Sequence, residues 1–102
     1  MTIKIIEQEK QIVAKVSGRL DIQEVESFCD KLLPYAKVSE KIILDFSELD
    51  YISSAGLRGI AQVGKEISKN GGILNFYHLK GMVKEVITLT GFSNIFKEID
   101  TL

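Results

Sequence analysis

The order of strand-like and helix-like patterns along this 102-residue chain predicts an α/β fold. Two stretches of alternating apolar residues open the sequence, and a continuous apolar run stands near its middle. Strand and helix patterns then alternate to the end. This order is typical of a mixed sheet with helices on one face. We therefore expect one domain spanning residues 1–102, with a mixed, partly parallel sheet of about five strands and three to four helices packed mainly on one face.

The N-terminal pattern predicts an antiparallel pair of strands. Ile3 and Ile5 alternate with polar neighbours, and Ile12, Ala14 and Val16 do the same after a polar stretch. A period of two residues places the apolar side chains on one face of each strand. The pair should therefore have one covered face.

A first helix is predicted after Gly18, which should end the second strand. Asp21 and Glu24 have the spacing of a capping box. Apolar residues at helical spacing then extend the predicted helix to about Ala36, at positions 25, 28, 29, 32, 33 and 36. Pro34 predicts a kink or an early stop, because proline removes an interior hydrogen bond.

The middle of the chain predicts a buried strand followed by a helix. Residues 42–44 are apolar and lie next to Asp45, which is typical of a strand covered on both faces and placed mid-sheet. A short acidic connection follows, and then Ser53 and Ser54 stand before a helical apolar pattern. That pattern is Leu57, Ile60, Ala61, Gly64 and Ile67. Both serines are predicted to cap this helix.

The remaining elements continue the alternation. The serine-capped helix should end near Lys69, where residues 70–72 read Asn-Gly-Gly and supply a left-handed termination. Residues 73–77 predict a strand, 81–89 a helix and 95–99 a short closing strand. The helix should bury Met82 or Val83, together with Val86 and Ile87, and stop at Thr90 and Gly91. Residues 17–21 and 50–55 both follow strands and precede helices, so we expect them to share one rim and to carry the function.

Composition excludes several classes of partner. A net charge of −1 provides no electrostatic footprint for nucleic acid or an anionic membrane surface. No apolar run approaches the ~20 residues that span a bilayer, and the N-terminus lacks a signal-peptide pattern, so we expect a cytoplasmic chain without membrane insertion. The one cysteine, Cys29, can form no intrachain disulfide and falls among apolar residues, which predicts a small buried side chain.

Enzyme chemistry is weakly supported. Ser54 would need a neighbouring base, but the one histidine, His78, is more typical of an isolated surface residue, and no Gly-x-Ser-x-Gly motif is present. Asp45, Glu48 and Asp50 favour a solvated acidic loop over a metal site, and no cofactor is predicted. No phosphate-cradling motif is complete, which leaves weak nucleotide binding as an open alternative.

Residues 44–46 read Leu-Asp-Phe, residues 49–52 read Leu-Asp-Tyr-Ile, and residues 53–58 read Ser-Ser-Ala-Gly-Leu-Arg at the start of a helix. These motifs around the central strand resemble those of STAS domains, in particular of small bacterial anti-sigma factor antagonists. Residues 18–21 resemble the Gly-x-Leu-Asp segment of the family, and residues 70–77 resemble its turn into the fourth strand. The resemblance covers nearly the whole chain.

This resemblance implies a phosphorylation-controlled protein-binding switch rather than an enzyme. The unphosphorylated chain would bind an anti-sigma factor that has serine kinase activity and thereby release a sigma factor; a serine phosphatase would reverse the phosphorylation. The implied phosphoacceptor is Ser54, with Ser53 as the alternative. The implied partner-binding residues are Asp21, Ser53, Ser54, Ala55, Gly56 and Arg58.

Two other functions stay open. The chain could be a STAS scaffold, or a regulatory subunit of a signalling assembly or transporter, in which Ser54 only caps its helix. It could also be a small enzyme that uses Asp21, Asp45 or Ser54.

Overall fold

The computed structural model describes all residues from 1 to 102. Its elements are β1 (Thr2–Glu7), β2 (Gln11–Leu20), α1 (Val25–Ala36), β3 (Lys41–Ile52), α2 (Ser54–Lys69), β4 (Ile73–Tyr77), α3 (Gly81–Leu89), α4 (Phe92–Ile95) and β5 (Glu98–Ile99). The five strands form one sheet, in which β1 and β2 are antiparallel and every other neighbouring pair is parallel. The predicted α/β class with a mixed sheet is therefore confirmed.

One face of the sheet carries the hydrophobic core. Because side chains alternate across a strand, Ile12 and Ala14 of β2 lie on the same face as Ile42 and Leu44 of β3. The helices cover this face, and α1 and α2 also pack against each other. The largest fully buried side chains include Phe28, Phe46, Phe76, Leu20, Leu32, Ile60 and Ile67. β3 lies at the centre of the sheet, between β2 and β4.

β2 and β3 are longer than predicted. β2 continues past Gly18, whose φ is 93°, and β3 includes the segment expected to be an acidic connection. The two strands stay paired to Leu20 and Ile52 because two register shifts absorb the irregular backbone. The second half of β3 is thus held by its partner strand rather than by its own apolar pattern.

The start of α1 also differs from the prediction. Asp21 and Glu24 form no capping box: α1 begins at Val25, and the Glu24 side chain makes no capping hydrogen bond. Asp21 Oδ1 instead accepts from Gln23 N at 3.1 Å, and Glu24 Oε1 lies 3.3 Å from the amino group of Met1. Residues 21–24 therefore form a turn between β2 and α1.

Pro34 lies inside α1, which continues to Ala36. The early stop was wrong because the proline falls in the last turn, where Lys37 N still donates to Leu33 O at 3.3 Å.

Cys29 is buried as predicted, and burial raises the pKa of its thiol, with a further contribution from the charge of Asp30.

α2, β4 and α3 have the predicted bounds. Gly71 adopts a φ of 81° after α2, as a left-handed termination requires. Ala61 was predicted on the buried face of α2, but it is exposed, and Val63 is buried instead. Of the two residues predicted as alternatives on α3, Val83 is buried and Met82 is 40% exposed.

The closing strand predicted for residues 95–99 is present but shorter, since β5 spans only Glu98–Ile99. The predicted range also includes the end of α4. Phe96, between these elements, turns its ring into the core, where it packs edge-on against Phe76 with 6.2 Å between ring centroids. The apolar character of this segment thus reflects one buried aromatic anchor more than a strand.

None of the four helices combines the length and the apolar character needed to cross a membrane.

Candidate functional site

An open cavity of about 450 Å³ lies where β2 and β3 end and α2 begins. Five of its nine lining residues were predicted as site residues: Asp21, Ser53, Ser54, Ala55 and Arg58. The other four were not predicted: Arg19, Ile22, Gln23 and Tyr51. The two segments expected to share a rim therefore do so, although as paired strand ends rather than as loops.

The two serines have different environments. Ser53 is the N-cap of α2, with an extended backbone, and its Oγ accepts a hydrogen bond from Gly56 N at 3.3 Å. Ser54 is the first residue of the helix, is exposed, and its hydroxyl makes no hydrogen bond within the chain. The prediction that both serines cap the helix is therefore wrong for Ser54. Its hydroxyl is left available at the cavity surface.

Parallel pairing of β2 and β3 sets the position of both serines. Leu20 pairs with Ile52, and Leu20 O accepts from Ser53 N at 3.1 Å. The start of α2 is thus attached to the end of β2. This contact places the turn that holds Asp21 next to the first turn of α2.

Gly56 allows this close approach. It is buried and does not line the cavity, so its effect on a partner would be indirect. A Cβ atom added to Gly56 would lie 2.5 Å from Leu20 O and 3.0 Å from Ile52 Cγ1. Any larger residue would push α2 away from the end of β2.

Replacing Gly56 with alanine is therefore expected to lower the free energy of unfolding by about 1–3 kcal/mol, the usual cost of overpacking. Urea denaturation followed by circular dichroism measures this loss. Ser68→Ala is the control, because Ser68 is exposed on the same helix and its replacement should change stability by less than about 0.5 kcal/mol. Equal urea midpoints for the two variants would contradict the steric role of Gly56.

Two arginines give the cavity its cationic character. The Arg19 guanidinium lies 4.0 Å from the centroid of the Tyr51 ring, and Arg19 Nε lies 3.7 Å from Asp21 Oδ2. Arg58 is exposed and forms no ion pair. Beside these charges, Ile22 is 71% exposed. An exposed aliphatic side chain among polar groups is suited to contact with a protein surface.

The residues considered for enzyme chemistry do not converge. His78 is exposed after β4, does not line the cavity, and packs edge-on against Tyr77. Asp45 is buried in β3, where its Oδ1 accepts from Ser47 N at 3.0 Å, so the solvated acidic loop was wrong for this residue. Glu48 Oε2 lies 3.4 Å from Lys15 Nζ. No group of three or more His, Cys, Asp or Glu side chains is arranged to hold a metal ion.

A second depression, of about 340 Å³, lies at the opposite end of β3. Its lining consists of polar turn residues at 8–11 together with Glu40 and Lys41, and it contains no hydrophobic side chain. It holds none of the predicted site residues.

Comparison with known proteins identifies the family. The family model described as STAS domain matches residues 2–102. The chain is 43% identical over 60 residues to BtrV of Bordetella bronchiseptica, named as a candidate anti-sigma factor antagonist; the match covers 59% of this chain and 52% of BtrV, about half its length. It is 22% identical over 95 residues to the anti-sigma-B factor antagonist of Bacillus subtilis, covering 93% of this chain and 87% of that protein.

The fold is similar to that of SpoIIAA, a Bacillus anti-sigma factor antagonist with known structures in two states. The TM-score is 0.86 for the unphosphorylated form, at 18% identity over 99% of this chain and 89% of SpoIIAA. It is 0.79 for the phosphorylated form, at 17% identity over 99% of this chain and 92% of SpoIIAA. At these identities the likeness concerns the fold.

Proposed function

Because the chain belongs to the STAS domain family, we propose that it is an anti-sigma factor antagonist whose binding is switched by phosphorylation of Ser54. In its unphosphorylated form it binds an anti-sigma factor with serine kinase activity and so frees the sigma factor held by that protein. The names of BtrV and of the Bacillus subtilis relative support this proposal. The observation that carries it is the exposed Ser54 hydroxyl, free of hydrogen bonds on the cavity rim.

Ser54 is a better phosphoacceptor than Ser53. The Ser53 oxygen already accepts a hydrogen bond from Gly56 N and is partly buried, whereas the Ser54 hydroxyl has no partner in the chain and is exposed. In the proposed reaction, Ser54 Oγ attacks the γ-phosphorus of ATP held by the kinase. The bond from that phosphorus to the bridging oxygen breaks, ADP leaves, and a base of the kinase takes the hydroxyl proton.

The reverse reaction is hydrolysis by a serine phosphatase. Water attacks the phosphorus, the bond to Ser54 Oγ breaks, and inorganic phosphate leaves as the serine hydroxyl is restored. In both reactions this chain is the substrate, and the partner enzymes provide the catalytic groups.

The fold tolerates a phosphate at this position, whereas a docked partner does not. The first turn of a helix favours negative charge by on the order of 1 kcal/mol. Burying the same charge against a protein surface that has no matched cation costs several kcal/mol. Phosphorylation therefore releases the partner without unfolding this chain.

Affinity capture from the source organism tests the proposal. The parent chain and Ser54→Asp serve as paired baits, and mass spectrometry identifies the bound proteins. We expect the parent alone to recover a serine kinase. Recovery of the same partner by both baits, or of scaffold or transporter components, would mean that Ser54 is structural and would favour the scaffold function.

Phosphosite mapping then separates the two serines. We expect the recovered kinase and ATP to modify Ser54 in the parent and in Ser53→Ala, and to leave Ser54→Ala unmodified. Loss of the Ser53 cap costs only about 1 kcal/mol, so the control variant should stay folded. Phosphate found on Ser53 in the parent would overturn the assignment.

A further inference from the structure

Ser54 shares its cavity with two arginines that come from different elements. Arg19 lies near the end of β2, and Arg58 lies four residues after Ser54 on α2. Residues four apart on a helix are neighbours on its surface. A group attached to Ser54 Oγ would therefore enter the same cavity as Arg58 from its own helix and Arg19 from the adjacent strand.

Arg19 is held in place but incompletely neutralised. The centre of its guanidinium lies 4.0 Å from the centroid of the Tyr51 ring, and Nε lies 3.7 Å from Asp21 Oδ2, beyond hydrogen-bond distance. The Arg19 guanidinium makes no hydrogen bond within the chain. Contact with the Tyr51 ring restrains the guanidinium and leaves its donors free for a second acceptor.

The two arginines are the cations that can bind an anion in this cavity. Asp21 is the one carboxylate that lines the cavity, and its two oxygens already contact Gln23 N and Arg19 Nε. Lys15, the preceding cation on β2, lies 3.4 Å from Glu48. No lysine lines the cavity.

We propose that Arg19 and Arg58 bind the phosphate on Ser54 within the same chain, an inference that rests on the proposed phosphorylation of Ser54. Guanidinium groups bind phosphate oxygens through paired, charge-assisted hydrogen bonds. Phosphorylation then changes the partner-binding surface in two ways. It adds a dianion, and it occupies two cations that were free to contact an acidic partner. The switch works partly by masking these arginines.

Phosphorus NMR on the chain with phosphoserine incorporated biosynthetically at position 54 tests this inference. The second ionisation of phosphoserine has a pKa near 6. Nearby cations favour the dianion and so lower the titration midpoint, whereas the negative charge of Asp21 raises it. Relative to the parent, we expect the titration midpoint to rise by about 0.5 pH units in the single variant Arg19→Gln, and by a similar amount in the single variant Arg58→Gln.

Matched variants separate this effect from general changes in charge or fold. Lys10→Gln removes one positive charge at the opposite end of the strands, where Lys10 lies 3.9 Å from Glu40, and should leave the midpoint unchanged. Arg19→Lys keeps the charge and should recover part of the lowering. Raising the salt concentration should reduce the difference between the parent and Arg19→Gln, because exposed charges are screened.

The two proposals can fail separately because this titration needs neither kinase nor partner. Equal midpoints in the parent, Arg19→Gln and Arg58→Gln would overturn the arginine inference and leave the switch intact. Similar increases in Arg19→Gln and Lys10→Gln would also overturn it, because the effect would then be one of net charge. Failure of the proposed function would appear in the capture, phosphosite-mapping and calorimetry experiments, none of which depends on this titration.

Discussion

The Ser54→Asp variant is expected to bind the anti-sigma factor a few hundredfold more weakly than the parent, while its resistance to urea stays the same. Ser54 is exposed at the first position of α2, so a carboxylate there meets a helix end that favours negative charge. In the complex, the same charge would be desolvated against the partner. A penalty of ~3–4 kcal/mol corresponds to that loss of affinity, since each 1.4 kcal/mol is tenfold.

Isothermal titration calorimetry with the purified partner measures this difference. Ser54→Ala should bind like the parent and resist phosphorylation. Ser68→Asp places the same charge on an exposed position near the other end of α2 and should bind within a few fold of the parent. Similar weakening by Ser54→Asp and Ser68→Asp would show that net charge controls affinity and would remove Ser54 from the interface.

The Phe76→Ala variant is expected to lose about 3–5 kcal/mol of unfolding free energy, the range found for deletion of a buried aromatic ring. Phe76 is fully buried in β4, and its ring lies between those of Phe46 and Phe96, at centroid distances of 5.7 and 6.2 Å. Removing it leaves a cavity where β3, β4 and the C-terminal segment meet. A loss of this size is a large part of the 5–15 kcal/mol that stabilises a typical domain.

Equilibrium urea unfolding measures the loss. Phe92→Ala is a suitable comparison because Phe92 packs against the core from a partly exposed position. We expect the Phe92 variant to lose clearly less stability than the Phe76 variant. The reverse order would mean that the C-terminal segment, rather than the sheet, carries the aromatic contribution.

Local patterns were sufficient for the elements that bury a regular apolar face. The period of two residues identified β1 and most of β2, and the spacing of Leu57, Ile60 and Ile67 identified α2. Such patterns can be recognised locally, because side chains return to the same buried face every two residues in a strand and every three to four in a helix. They predicted the fold class, and the structure brings five of the candidate site residues to one cavity.

Features that depend on contacts between distant segments could not be found in this way. The second half of β3 is a strand because β2 pairs with it, and Arg19 reaches the cavity because the register places it opposite Tyr51. Nothing in the sequence near Arg19 indicates that aromatic partner. Whether Ser53 or Ser54 caps α2 is likewise decided by the extended backbone at Ser53, which adjacent identical residues cannot reveal.

The strands occupy the sheet in the order in which they are synthesised. Each new strand therefore pairs with the strand that precedes it directly along the chain, and the connection to be closed contains at most two helices, α3 and α4. The edge that carries Arg19, Ser54 and Arg58 uses only elements up to α2, so all of its residues are synthesised before β4. Bringing these residues together therefore requires no pairing with the C-terminal third of the chain.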